Sequence, residues 1–315
     1  MQISFINNGV FLIIAIVNSM VCFTLFGVLT VLFTHIVYAA KPDNKNILYV
    51  WFLLVLVVLG GAIGYLLKLS IGFYIYLFLF SCFYYVIYNK DAYIDRVIPF
   101  FIIFSCMGTT LHTVSADIPL AYITGITVSL LLIRIFNRRS TASNIFINGL
   151  FAKENYTGNR IILLRAFIYS LFLFLSLFIP DFFDLYRPYW APLTFIVLLR
   201  PKEMSILKIT FFRFAGSLLG ATFLLTLYLI FGFRFIYGYY GLLVFVIFML
   251  PSFLNANYFA KTFAITVFVL LLLEETEYLH DPTYLLPISR VYETFIGGII
   301  AVVASIVLNA LRIGR

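Results

Sequence analysis

The sequence predicts an all-α polytopic membrane protein of about 12 transmembrane segments, built as two parallel six-helix repeats with some short or broken segments. Composition is the first observation behind this prediction. Of 315 residues, 63% are hydrophobic and only 11% are charged, whereas soluble domains contain about one-quarter charged residues. Apolar runs recur from end to end and leave no stretch long enough for a soluble domain.

Small residues at matched positions are the second observation. The third segment of each half carries two glycines four residues apart, Gly60 and Gly64 in the first half and Gly216 and Gly220 in the second. The last segment of the second half carries Gly297, and the first half has a similar small-residue stripe. Small residues four apart share one helix face and let helix backbones approach closely in lipid. We therefore expect these five glycines to be helix-packing positions of a duplicated unit.

The elements follow in the same order in both halves. The predicted segments of the first half lie within residues 10–40, 47–67, 73–88, 97–111 and 119–136, and those of the second within 161–199, 206–231, 238–253, 262–273 and 287–311. The first range of each half holds two segments. The predicted domains are an N-terminal transmembrane repeat over residues 1–136, a cytoplasmic linker over 137–159 and a C-terminal transmembrane repeat over 160–315.

Basic residues predict the orientation. With both termini cytoplasmic, all but four of the 21 Lys and Arg residues fall on the inner side, and only Lys68, Arg187, Arg234 and Arg290 remain outside. Inner loops carry such an excess of positive charge. Since each repeat has an even number of segments, both halves point the same way.

One segment of the second half is too short to span a bilayer by itself. Residues 190–199 would form a helix about 15 Å long, against about 30 Å for a bilayer core. Pro188, Pro192 and Pro201 flank or interrupt this run. Broken helices at membrane depth survive where protein or a water-filled cavity satisfies their backbone groups, as in transporters.

Charged residues inside membrane segments predict the functional site. Arg213 lies two turns into one segment, and Arg290 and Glu293 lie in the first turns of the last one. Such groups are costly in lipid, face protein or water and are functional hypotheses by default, and cationic constrictions attract anions. The glycine alignment places Val57 and Ile118 opposite the two arginines, so the second half is expected to be the working half. An alternative is a structural Arg290–Glu293 pair within the helix.

Motif searches predict no enzyme, no cofactor and no metal site. The sequence contains no nucleotide-binding lysine loop, no dinucleotide glycine fingerprint and no HExxH. Cys22, Cys82 and Cys106 lie far apart without metal or redox spacing. Basic residues are scattered at segment ends and form no patch, which argues against a nucleic-acid partner.

Two stretches carry a family resemblance: YWAPLTFIVLLRPKEMSILKITFFRFAGSLLGA from residue 189 and RVYETFIGGIIAVVASIVL from residue 290. They resemble the fusaric acid resistance family of inner-membrane proteins, distantly similar to plant aluminium-activated malate transporters. The resemblance implies an exporter of aromatic carboxylates, a homodimer and a separately encoded periplasmic adaptor. The matching positions are Trp190, Arg200, Arg213, Gly216, Gly220, Arg290, Thr294 and Gly297.

The sequence thus favours a bacterial inner-membrane, multi-pass exporter of organic anions such as aromatic or hydroxylated carboxylates. Tyr189 and Trp190 are candidates to stack on a planar substrate. Glu293 is the candidate for proton coupling. A passive anion channel and an envelope scaffold without transport stay open as alternatives. The expected partners are a small organic anion and the lipid bilayer. The expected substrate-binding residues are Tyr189, Trp190, Arg200, Arg213, Arg290, Glu293 and Thr294.

Overall fold

A computed structural model describes residues 8–22, 26–38, 47–111, 117–136, 160–201, 206–231, 235–277 and 285–313. Helices and their connections account for all of these residues, and no strand occurs among them. The predicted all-α class is confirmed. The predicted linker over residues 137–159 lies outside the described residues.

Twelve helices follow one another in the described part of the chain. The first half contains α1 (Asn8–Cys22), α2 (Phe26–Tyr38), α3 (Ile47–Leu67), α4 (Ile71–Ile87), α5 (Ile94–Gly108) and α6 (Asp117–Phe136). The second half contains α7 (Arg160–Phe182), α8 (Trp190–Leu198), α9 (Leu207–Phe231), α10 (Phe235–Asn255), α11 (Tyr258–Glu277) and α12 (Leu285–Ile313).

Six of the described helices, α3, α6, α7, α9, α10 and α12, are long and apolar enough to cross a membrane. The protein is therefore a multi-pass membrane protein. The remaining helices are shorter or less apolar within the described residues, and α8 has only 9 residues, so its length is about 14 Å. The count of twelve spans stays a prediction.

Equivalent helices make equivalent contacts in the two halves. The third helix packs on the fifth in each, and the first and second helices pack on the sixth. Contacts between the halves are also reciprocal, because α4 packs on α7 and α10 packs on α1. Two copies of a six-helix unit related by a two-fold axis would pack in this way, which supports the proposed duplication.

The glycine faces are used inside each half. A Cβ atom added to Gly60 would lie 2.6 Å from the Phe101 carbonyl oxygen of α5, and one added to Gly216 would lie 2.9 Å from the Phe259 carbonyl oxygen of α11. Side chains do not fit at such distances, so these helices approach closely because the residues are glycine. The homodimer implied by the resemblance draws no support from these faces.

Candidate anion site

The site is built on the start of α8. The chain leaves α7 at Phe182 and turns back, and the Trp190 amide donates to the Arg187 carbonyl over 3.1 Å as the new helix begins. A Cβ on Gly297 of α12 would overlap the backbone of Ala191. The first turn of α8 therefore rests directly on the backbone of α12, because position 297 has no side chain.

Trp190, the first residue of α8, lies against Arg290 of α12. The guanidinium carbon of Arg290 is 4.6 Å from the centroid of the Trp190 ring. Both side chains are buried, with 1% and 3% of their surfaces exposed. A cation over an indole face is attracted by the ring quadrupole, and more strongly where water is excluded. Tyr189 is also buried and packs edge-on against the same indole, at 6.1 Å between ring centroids.

Glu293 lies one turn after Arg290 and is fully buried. Its Oε1 accepts a hydrogen bond from the backbone N–H of Arg187 at 2.9 Å, whereas Oε2 has no hydrogen-bond partner in the described part of the chain. The carboxylate thus holds the turn that precedes α8. The Arg290 guanidinium lies over the Trp190 ring, although the opposite charges of Arg290 and Glu293 interact.

Arg213 brings a second positive charge to this region from α9. Only 5% of its surface is exposed, and it is close enough to Arg290 for the two charges to interact. The neighbouring ring of Phe214 lies 5.4 Å from that of Phe295, which places this part of α9 beside the Arg290–Glu293 stretch of α12. The Nε atoms of both arginines lack hydrogen-bond partners among the described residues.

The electrostatics of this arrangement favour an anion. Arg213 and Arg290 contribute two positive charges, and Glu293 is the acidic side chain whose charge acts on Arg290. A buried ion without a counter-charge costs several kcal/mol. Among these three described residues, one positive charge is left over even with Glu293 ionised, and a negatively charged solute would balance it.

A second group of basic residues surrounds Lys261 of α11. The positive charges of Arg96, Arg200 and Arg213 all act on Lys261. Arg200 is exposed and follows the last turn of α8, so it lies about 14 Å along the helix from Trp190. The structure therefore groups Arg200 with Lys261 and not with Arg290.

Sequence reasoning overlooked Lys261 and Arg96, because the positive-inside bias already accounts for charges at segment ends. Thr262 and Thr266, which lie against the glycines of α9, mark a polar face of α11 that could have drawn attention to Lys261.

Thr294 was predicted as a site residue. It is buried, and its hydroxyl donates to the carbonyl oxygen of Arg290 over 2.6 Å within the same helix.

Long apolar helices around a buried cationic site define a multi-pass membrane protein suited to solute transport. Residues 175–304 match the model of the family described as fusaric acid resistance protein-like. This match supports the resemblance seen in the sequence, and the matched region includes Trp190, Arg213, Arg290 and Glu293. The family is one of membrane transport and efflux and not of enzymes. Neither a curated protein nor a solved structure matches the chain.

Proposed function

We propose that the protein is a bacterial inner-membrane exporter of organic anions, with both termini in the cytoplasm. The observation that carries the proposal is the burial of two guanidinium groups, Arg213 and Arg290, from adjacent helices in one region. Guanidinium groups bind carboxylates through paired, charge-assisted hydrogen bonds. A carboxylate between the two arginines would supply the missing negative charge.

The substrate class is proposed from the same chemistry and from the family. Fusaric acid, which the family's description names, is an aromatic carboxylic acid. Aromatic or hydroxylated carboxylates carry the anionic group that the arginines favour.

The basic residues also support a direction across the bundle. In the proposed orientation, Lys261, Arg96 and Arg200 lie toward the cytoplasm, Arg213 lies deeper and Arg290 lies in the outer half. Positive charges in this order would attract an anion from the cytoplasm and pass it to the Arg213–Arg290 site. Glu293 beside Arg290 is the proposed group for coupling to protons.

The test is efflux from proteoliposomes loaded with benzoate, salicylate or malate, under imposed proton and voltage gradients. We expect release of the carboxylates and none of the cation tetraethylammonium. Arg213→Gln should lower the rate at least about 30-fold, from the loss of a buried charge contact of about 2 kcal/mol or more. Lys208→Gln, which removes an exposed charge from the same helix, is the matched control and should leave efflux unchanged.

Three outcomes would contradict the proposal. Transport of cations alone would exclude an anion exporter. Single-channel anion currents that ignore a proton gradient would favour the passive channel. Normal cellular function of a folded Arg213→Gln protein, with no solute transport by the wild type, would favour the scaffold.

A further inference from the structure

The indole of Trp190 has little surface to offer a substrate. One face lies under the Arg290 guanidinium, and the Tyr189 ring meets the indole edge-on at an interplanar angle of 77°. Only 1% of the residue is exposed. A substrate ring could stack on Trp190 only after displacing side chains that now bury it.

The backbone around Trp190 is fixed against α12 on both sides. Before it, the Arg187 N–H donates to Glu293, and the Tyr186 N–H lies 3.4 Å from the Tyr292 hydroxyl oxygen. After it, the Ala191 backbone rests on Gly297. Because Gly297 lies seven residues, about two turns, beyond Arg290, both lie on one face of α12. These contacts hold the indole at the height of Arg290.

Arg290 has two neighbours that would draw it away from an anion held beside Arg213. The Arg213 charge repels it, and the Glu293 carboxylate, one turn along the same helix, attracts it. A guanidinium on a long side chain would turn toward Glu293 and be neutralised there. The indole face provides the competing attraction that keeps it in place.

We propose that Trp190 is a positioning residue that holds the Arg290 guanidinium for the transported anion and does not itself contact that anion. This inference rests on the proposed function for its transport readout. It replaces the prediction that Trp190 stacks on a planar substrate. It also assigns Gly297 and Glu293 a shared structural task, which is to fix the start of α8 so that the indole meets Arg290.

Substitution of Trp190 separates positioning from stacking. Trp190→Leu keeps an apolar side chain without a π face and should raise KM about tenfold for benzoate and for malate alike. Trp190→Phe retains a π face and should stay within about threefold of the wild type. A rise in KM for benzoate with none for malate would overturn the proposal, because it would show contact with the substrate ring.

Epistasis gives a second readout of the same idea. In the Arg290→Gln background, Trp190→Leu should add no further loss of transport, since the group that it positions is gone. A full additional tenfold loss would contradict the proposal. Thermal unfolding of each variant shows whether the protein remains folded.

Fluorescence tests the contact without any substitution at Trp190. The chain has two tryptophans, so Trp51→Phe leaves Trp190 as the only indole. In that protein, Arg290→Gln should shift the Trp190 emission, and benzoate and malate should change the emission to similar extents through Arg290. An emission unaffected by Arg290→Gln, or quenching by benzoate alone, would overturn the proposal.

The two proposals can fail separately. If no carboxylate is transported but Arg290→Gln still shifts the Trp190 emission, the proposed function fails and the Trp190–Arg290 contact stands. If carboxylates are transported and Trp190→Leu behaves as the wild type, the positioning role fails and the exporter stands.

Discussion

The two halves of the molecule share the same pattern of helix–helix contacts. The side chains at the centre of each half differ. In the first half, α1, α2 and α6 meet around the buried amide of Asn18. Its Nδ2 lies 3.0 Å from the Thr30 hydroxyl and 2.6 Å from the Ser129 hydroxyl, and these hydroxyls donate to backbone carbonyls of their own helices. The network is neutral and ties three helices together.

The corresponding part of the second half is charged. Arg290 and Glu293 lie on α12, and the charge of Arg213 on α9 acts on Arg290. By the glycine alignment, the fully buried Val57 stands in the first half where the second has Arg213, and Ile118 stands where it has Arg290. A neutral network leaves no charge to be balanced, whereas an unbalanced charge favours a charged solute. The difference supports a structural first half and a transporting second half.

The largest expected effect is the loss of transport after substitution of Arg290 in the second half. Arg290→Gln should reduce carboxylate efflux at least about 30-fold, because a buried charge contact of about 2 kcal/mol or more is lost. The Arg290→Gln, Glu293→Gln double variant should stay low, since removal of the carboxylate does not replace the anion contact. Full recovery of efflux in the double variant would show that the two residues form a structural pair, and it would remove Arg290 from the path.

A smaller effect is expected from alanine substitutions at the equivalent glycines Gly64 and Gly220. In Gly64→Ala, the new methyl would meet the Ser105 backbone carbonyl, whereas in Gly220→Ala it would meet the Thr266 side chain at 3.1 Å. A side chain can move aside more easily than a packed backbone. We expect Gly64→Ala to cost about 1–3 kcal/mol of unfolding free energy and Gly220→Ala less. Thermal unfolding in detergent measures both, and a larger loss for Gly220→Ala would contradict the comparison.

These glycines show how far the sequence determines the fold. Small residues four apart mark a close helix contact because the period of the helix puts them on one face. The pattern does not say which helix fills the face, and only the structure pairs α3 with α5 and α9 with α11. The short α8 was predictable from its length and its prolines.

The site was less predictable because its contacts are tertiary. Arg213, Arg290 and Glu293 could be singled out, since charge inside an apolar segment is visible in sequence. The placement of Arg290 on Trp190 depends on how α8 rests on α12, which no local pattern encodes. Arg200 is close to Trp190 in sequence and was therefore predicted for the site. The structure groups it with Lys261 and not with Arg290.

A moderate effect is expected for the centre of the first half. Asn18→Ala removes the amide that joins α1 to α2 and α6, but the Thr30 and Ser129 hydroxyls keep their backbone acceptors. The expected cost is about 1–2 kcal/mol of unfolding free energy. Efflux per folded molecule should match the wild type. A loss of efflux comparable to that of Arg290→Gln, with folding intact, would show that the first half also takes part in transport.

The smallest effect concerns the basic group around Lys261. Lys261→Gln should raise KM for carboxylates about threefold at low salt and less at high salt, because its charge attracts the anion from a distance and mobile ions screen it. Lys208→Gln is again the control. A KM change above about 30-fold that persists at high salt would place the main anion contact at Lys261.

The most direct test of the central claim is a double-mutant cycle of Arg213→Gln and Arg290→Gln, read out as benzoate efflux from proteoliposomes. If both arginines hold the same anion, the double variant should transport about as poorly as either single variant, so that the two losses do not add. Wild-type unfolding temperatures for all three proteins would exclude a folding defect as the cause. Losses that add fully, or a single variant with wild-type efflux, would contradict the shared anion site.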